Sequence, residues 1–206
     1  MINNIFVNEQ SSILIKGKDI IYIDPFNLND SNNLKADYIF FTHPHYDHLS
    51  KKDIEKIATD KTIFIMPISM KNDFNGNNIY LLDVNQKMEI NDFVVETYPA
   101  YNLIKPFHSK ENNWLGYIIT INNERIYACG DTDYLEEFNN IKCDILLVPI
   151  GGTYTMDYIE ASKFTNKIIP KYVIPIHYGT IIGEKDLFNK FKELINNDIQ
   201  VVKKLM

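Results

Sequence analysis

Thr42-His43-Pro44-His45-Tyr46-Asp47-His48-Leu49 places three of the chain's five histidines and a carboxylate within six consecutive positions. Imidazole nitrogens and carboxylate oxygens are the usual donors to zinc and other divalent first-row metals. The alternation His43, His45, Asp47 lets side chains converge from one extended loop. His48, next to Asp47, points elsewhere and is placed for a second ion. Upstream, Tyr38-Ile39-Phe40-Phe41-Thr42 is an apolar run of strand type, and downstream Ser50-Lys51-Lys52-Asp53 has the form of a capping box that opens a helix. The donors therefore sit on a strand-to-helix loop. A histidine-rich turn lying idle in solvent is the competing reading, and only the rest of the chain decides between them.

The remaining histidines are His108, in Lys105-Pro106-Phe107-His108-Ser109, and His177, in Ile174-Pro175-Ile176-His177-Tyr178-Gly179. Between them stands Ala128-Cys129-Gly130-Asp131-Thr132-Asp133, an acidic loop that follows the strand-like Arg125-Ile126-Tyr127-Ala128. Cys129 is close enough in sequence to Asp131 to be weighed as a donor, but a packed core thiol is the stronger reading.

In this order, His43, His45, Asp47, His48, His108, Asp131 and His177 resemble the metal-binding residues of the metallo-β-lactamase superfamily of hydrolases, and the resemblance runs over nearly the whole chain. It implies an α/β (α+β) fold, a four-layer αββα sandwich with its ligands at strand ends along one edge. It also implies a first ion on His43, His45 and His108, a second on Asp47, His48 and His177, and Asp131 between them. The implied cofactors are two divalent metal ions, zinc first, with manganese, iron and nickel suited to the same donors. The implied reaction is attack by a hydroxide shared between the ions on an ester, lactone, amide or phosphodiester of a small molecule, with Asp47 as the catalytic carboxylate. The chain looks most like the compact metal-dependent hydrolases related to ascorbate-6-phosphate lactonase and N-acylphosphatidylethanolamine phospholipase. It lacks the inserted domain of the superfamily's nucleases and any flavin domain, which weighs against nuclease and di-iron oxygen chemistry. A non-catalytic metal-binding or regulatory protein of the same fold is the alternative; it would be expected to have lost Asp131 or the open coordination position.

Relatives often place the third histidine directly after a strand, in an Ala-x-His context, where this chain has Ala100-Tyr101-Asn102. Asn102 is a poor ligand for a transition metal. A catalytic site normally has three protein ligands, so the irregular loop is expected to fold back and bring in His108, with Lys105-Pro106-Phe107 as a stiff turn and apolar anchor. On that reading His108→Ala releases the first ion and Asn102→Ala does not. Tyr46, Tyr154 and Tyr178 flank the donor loops, either as packing or as donors to an oxyanion; Tyr154 and Tyr178 are the candidate substrate contacts.

The 206 residues are 45% hydrophobic, enough for one substantial core, and are read as a single domain, 1–206. Net charge is −6 with no cluster of Lys and Arg, so no nucleic-acid partner is expected and a small-molecule substrate is. No run approaches the roughly 18 apolar residues of a membrane span. Met1-Ile2-Asn3-Asn4-Ile5 has no basic, apolar signal pattern, and two cysteines are too few for a disulfide framework, so the expected location is cytoplasmic.

Along the chain, 2–7, 12–16 and 20–23 read as hairpin strands, and 27–33 as a loop that either contacts substrate or is a surface turn. Helix is expected over 51–58 and strands over 62–66 and 79–82, with a second helix between those two strands. The stretches 87–90 and 93–98 make a hairpin, as do 114–121 and 124–129. The segment 100–113 has no period of either kind. A central strand over 144–149 ends in Gly151-Gly152, whose amides either face an anion or close a tight turn. Thr155 is expected to cap a helix that ends before Pro170. A strand over 171–176, a helix over 185–196 and a strand over 199–202 complete the chain.

Overall fold

The computed structural model describes residues 1–29, 33–75 and 77–205. Part of the 27–33 loop therefore lies outside the described residues. The first sheet takes β1 (Ile5–Val7), β2 (Ile13–Lys16), β3 (Ile20–Ile23), β4 (Tyr38–Phe40), β5 (Ile63–Pro67) and β6 (Ile79–Leu82) in that order. Its first three strands are antiparallel, and from β3 onward neighbours are parallel. The second sheet contains β7 (Lys87–Ile90), β8 (Phe93–Pro99), β9 (Leu115–Ile121), β10 (Glu124–Ala128), β11 (Ile145–Pro149), β12 (Tyr172–Ile176) and β13 (Gln200–Val201). There β7 to β10 are antiparallel and β10 to β13 parallel.

Strand alternation sorts the apolar residues into layers. In β3 to β5, Ile21, Ile23, Tyr38, Phe40 and Ile65 face the second sheet, joining the larger core with Phe93, Val95, Tyr117 and Ile119. Their neighbours Tyr22, Ile39, Phe41, Phe64 and Met66 face the other way and pack beneath Ile54 and Ile57 of α1 (Lys51–Ile57). Aromatic contacts bridge the sheets, with Phe40 5.2 Å from Tyr117 and Tyr38 4.8 Å from Phe93, both edge-on. On the far side of the second sheet, α2 (Tyr158–Ile168) lies against β11 and α3 (Leu187–Glu193). Phe164 of α2 meets Tyr127 and Phe138. The order helix, sheet, sheet, helices is the αββα sandwich.

Several elements differ from the sequence reading. Asp157, not Thr155, caps α2, accepting from the amides of Ile159 and Glu160; a carboxylate at this position stabilises a helix by about 1 kcal/mol. Thr155 is buried and donates to the Met156 carbonyl. Among the described residues between β5 and β6, the 3₁₀ turn Ile68–Met70 stands where a second helix was expected. The anion-facing reading of Gly151-Gly152 gives way to close packing: the Gly152 amide is used by the Met156 carbonyl, and a Cβ on Gly151 would lie 2.3 Å from the His177 carbonyl oxygen. Only glycine allows the two loops to approach that closely.

Candidate metal centre

Five strands deliver their C-terminal ends to one edge: β3 leads into Asp24, β4 into His43, β8 into the loop bearing His108, β10 into Asp131 and β12 into His177. The sheets are tied together there. The Leu115 amide donates to the Thr42 carbonyl at 3.1 Å, and the Tyr117 hydroxyl to the Phe41 carbonyl at 2.7 Å. Gly130, at φ +68°, packs against the Thr42 side chain so closely that a Cβ would stand 3.2 Å from it. This contact fixes the β4 loop relative to the β10 loop, and hence His43 relative to Asp131.

The seven expected donors converge. His43, His45 and His108 form one group whose ligand atoms lie within 4.8 Å of one another; Asp47, His48 and His177 form another, and His43, His48 and Asp131 a third that joins them. Asp131 carries one oxygen 3.4 Å from His48 Nε2 and the other 3.1 Å from His177 Nε2 and 3.4 Å from His108 Nε2. Asp47 Oδ2 is 3.6 Å from both His48 Nε2 and His177 Nε2. His108 is fully enclosed, not exposed on its loop. Trp114 lies behind the first group, its ring centre 4.9 to 5.5 Å from those of His43, His45 and His108.

Outer contacts decide which nitrogen of three rings faces inward. Thr42 Oγ1 donates to Asp24 Oδ2 at 2.6 Å and so accepts from His43 Nδ1 at 3.0 Å. His48 Nδ1 donates to Asp24 Oδ2 at 2.8 Å. His108 Nδ1 donates to Asn102 Oδ1 at 3.0 Å, while the Asn102 amide nitrogen donates to Asp133 and to the Tyr154 carbonyl. Each bond occupies Nδ1 and turns Nε2 into the site, which is how proteins orient metal-binding histidines.

The electrostatics divide the donors into two kinds. Burial, reinforced by His48, holds the His43 imidazole well below its ordinary range, and burial with the charge of His108 also lowers His45, so both rings favour the neutral form. For His48 burial opposes protonation, but Asp131 and Asp24 outweigh it and raise the ring well above its ordinary value. The same competition, dominated by Asp131, lifts His177 to about 9. Burial opposes ionisation of Asp131, yet His177 and His48 keep its carboxyl well below the usual range. The region around Asp131 thus favours positive charge.

Four atoms test whether a metal belongs here. His48 Nε2, His108 Nε2, His177 Nε2 and Asp131 Oδ1 are buried without hydrogen-bond partners, and all point toward the same centre. Leaving one such group unsatisfied costs about 1–3 kcal/mol. Four of them, all with metal-donor chemistry, fit cations held between the two ligand groups.

Asp24, Thr42, Asn102 and Trp114 are the contributors that sequence reasoning did not assign. Asp24 had a signal: an ionisable residue closing an apolar strand, directly before Pro25. It is fully buried with φ +47°, and His177 has φ +55°; non-glycine residues persist in that region only when their surroundings hold them. Asn102, expected not to be a ligand, has its carboxamide oxygen on the His108 ring, which gives it an orienting role behind that donor. Asn102→Ala and Asp24→Asn should each weaken metal affinity by about 10- to 100-fold, the usual effect of losing a contact behind a ligand; competition with a chromophoric chelator measures it. Unchanged affinity in both would remove the orienting role. Of the candidate substrate contacts, Tyr154 is half-buried beside Phe107, whereas Tyr178 is buried in the larger core with its hydroxyl unpartnered. Cys129 is buried in the same core, its thiol pushed well up by burial.

Residues 4–177 match the family model described as the β-lactamase superfamily domain. The chain is 34% identical over 181 residues to a UPF0173 protein of Pyrococcus abyssi, covering 82% of this chain and 80% of that one. It is 33% identical over 180 residues to a UPF0173 metal-dependent hydrolase of Staphylothermus marinus, covering 85% of this chain and 77% of the relative. A crystal structure from Parabacteroides distasonis, described as a metal-dependent hydrolase, superposes with a TM-score of 0.86 at 27% identity, over 97% of this chain and 91% of that one. The chain belongs to the β-lactamase superfamily, among the UPF0173 metal-dependent hydrolases.

Proposed function

We propose that the protein hydrolyses an ester, lactone, amide or phosphodiester bond of a small molecule, using two divalent ions. His43, His45 and His108 would hold one, Asp47, His48 and His177 the other, and Asp131 would supply an oxygen to each. Zinc is the first choice, and manganese, iron and nickel suit the same donors. The observation that carries this reading is the convergence of three buried, unpartnered imidazole nitrogens, of His48, His108 and His177, on Asp131. When bound, such ions supply a water acidified toward a pKa of about 7 and Lewis acidity at the scissile group.

The chain's own residues supply the rest. Asp24, Thr42 and Asn102 keep the imidazoles in their donor tautomer, so the rings need not reorganise during turnover. Trp114 shields the first group from water on its inner side. Asp47 is the more exposed of the two acidic donors, its side chain 12% accessible against 3% for Asp131. Burial works against its ionisation, but His177 and His48, each with Nε2 3.6 Å from Oδ2, keep the carboxyl below its usual range. An ionised carboxylate at the open side of the site is placed to take a proton from the attacking water and return it to the leaving group. The chain is long enough to do this as one domain, and no described helix is long and apolar enough to cross a membrane; with its two free cysteines, the reading places it in the cytoplasm.

The test is a panel of activated esters, lactones and phosphodiesters against protein reconstituted with zinc or manganese. Asp47→Asn should lower kcat on the best substrate by about 10²- to 10⁴-fold, the range that loss of a proton-transfer group produces. Unchanged turnover in that variant would contradict the role of Asp47. Full metal loading with no turnover across the panel would favour a metal-binding protein without catalysis.

A further inference from the structure

The loops that meet at the ligand edge are almost free of positive charge. Segments 8–12, 24–29, 42–50, 130–135, 150–157 and 177–184 contain no Lys or Arg. The irregular stretch 100–113 has two lysines, and both are engaged. Lys105 pairs with Asp133 and donates to the Thr155 carbonyl at 3.0 Å; Lys110 lies 3.3 Å from Glu137 and 3.1 Å from the Tyr101 hydroxyl. The nearest others along the chain are Lys51 and Lys52, exposed at the start of α1, and Lys185, which packs over Gly179. A phosphate or carboxylate on the distal part of a substrate would find no protein cation waiting for it on these loops. Recognition of such groups ordinarily relies on one.

What the same edge does present is aromatic. Tyr46 sits between His45 and Asp47, is 66% exposed, and packs edge-on against Phe26 at 6.0 Å. Phe107 directly precedes His108, is 42% exposed, and meets Tyr154 edge-on at 4.5 Å. The rings of His45 and His108 are 5.0 Å apart, so Tyr46 and Phe107 are chain neighbours of two members of one ligand group, and Tyr46 lies near enough to Tyr154 to interact with it electrostatically. Tyr154 is joined to the same group through its carbonyl, which accepts from Asn102. Rings left partly exposed beside a polar centre take up apolar surface from a ligand.

We infer that the substrate is uncharged outside its scissile group: an ester or lactone whose acyl part is aromatic or bulky and apolar, seated on Tyr46, Phe107, Tyr154 and Phe26. The inference rests on the hydrolase reading for the bond that is cleaved, and on the rim alone for the class of acyl group. Hydrolysis adds water across the acyl C–O bond: an ester releases the apolar carboxylic acid and its alcohol, a lactone opens to a single hydroxy acid, and no other reactant is needed.

The test uses the full chain reconstituted with zinc. kcat/KM is measured for the 4-nitrophenyl esters of acetic acid, phenylacetic acid and succinic acid (the half-ester), and calorimetry gives the affinity for acetate, phenylacetate and succinate. Phenylacetyl should exceed acetyl by about 10- to 100-fold, the discrimination that a few buried carbons provide, and the half-succinate should fall below both. Tyr46→Ala and Phe107→Ala should each reduce the phenylacetyl-to-acetyl ratio, and Phe107→Arg should raise the half-succinate relative to phenylacetyl. A ratio at or below one, a preference for the half-succinate, or variants that leave the ratio unchanged would overturn the inference. The two readings fail separately. Phenylacetate binding more tightly than succinate without any ester turnover removes the hydrolase and keeps the apolar site; turnover without preference in rate or binding does the reverse.

Discussion

Asp131→Ala should release at least one ion per chain and lower kcat/KM by about 10²- to 10⁴-fold. The carboxylate is buried, and its two oxygens lie within 3.1 to 3.4 Å of His48, His108 and His177. Removing it leaves His108 Nε2 without its carboxylate neighbour, and His48 and His177 with only Asp47 at 3.6 Å. Breaking a buried charge pair in this way costs about 3–5 kcal/mol, and each 1.4 kcal/mol corresponds to about a factor of ten in affinity. The loss should be larger than for Asn102→Ala or Asp24→Asn, which remove contacts behind the ligands and leave every donor in place. Elemental analysis after gel filtration, together with kcat/KM on the best substrate of the panel, measures both effects. Retention of two ions with activity within about tenfold of the wild type would mean that Asp131 does not join the two groups.

Removing the metal should lower the melting temperature by about 8–16 °C. An ion bound at about a thousand times its dissociation constant stabilises the folded state by about 4 kcal/mol. For a chain of this size each kcal/mol shifts the transition by about 2–4 °C. The ligands come from both sheets, His43, His45, Asp47 and His48 from the loop after β4 and the others from the loops after β8, β10 and β12, so an ion there would cross-link the two layers. Calorimetry of chelator-treated protein, before and after addition of zinc, reads the shift and its recovery. A melting temperature that ignores both the chelator and the added zinc would place the metal reading in difficulty.

The αββα layer order and the grouping of the donors followed from the family resemblance; what the chain itself made legible was the succession of strands and the polar donors at their ends. Strand alternation such as Tyr38-Ile39-Phe40-Phe41 divides its residues between two cores. The donors lie at strand ends, where periodicity stops and polar residues stand out. His108 was placed by the need for a third ligand rather than by its spacing, since the 100–113 loop has no repeat to read. What stayed hidden depends on contacts between residues far apart in sequence. Asp24 reaches His48 across 24 residues, and Asn102 reaches Asp133 across 31. The cap of α2 was misplaced by two residues because Thr155 and Asp157 are both competent caps by type, and burial of Thr155 beneath the loop decided between them. The close approach of Gly151 to His177 follows from the register of β11 on β12, which aligns Pro149 with Ile176.

Anomalous diffraction from crystals of the zinc-reconstituted protein, paired with the zinc content of the same preparation, reads whether two ions share Asp131. Two zinc atoms per chain are expected, one among His43, His45 and His108, the other among Asp47, His48 and His177, with Asp131 touching both. A single site, or two sites of which one lies away from these residues, would contradict that sharing.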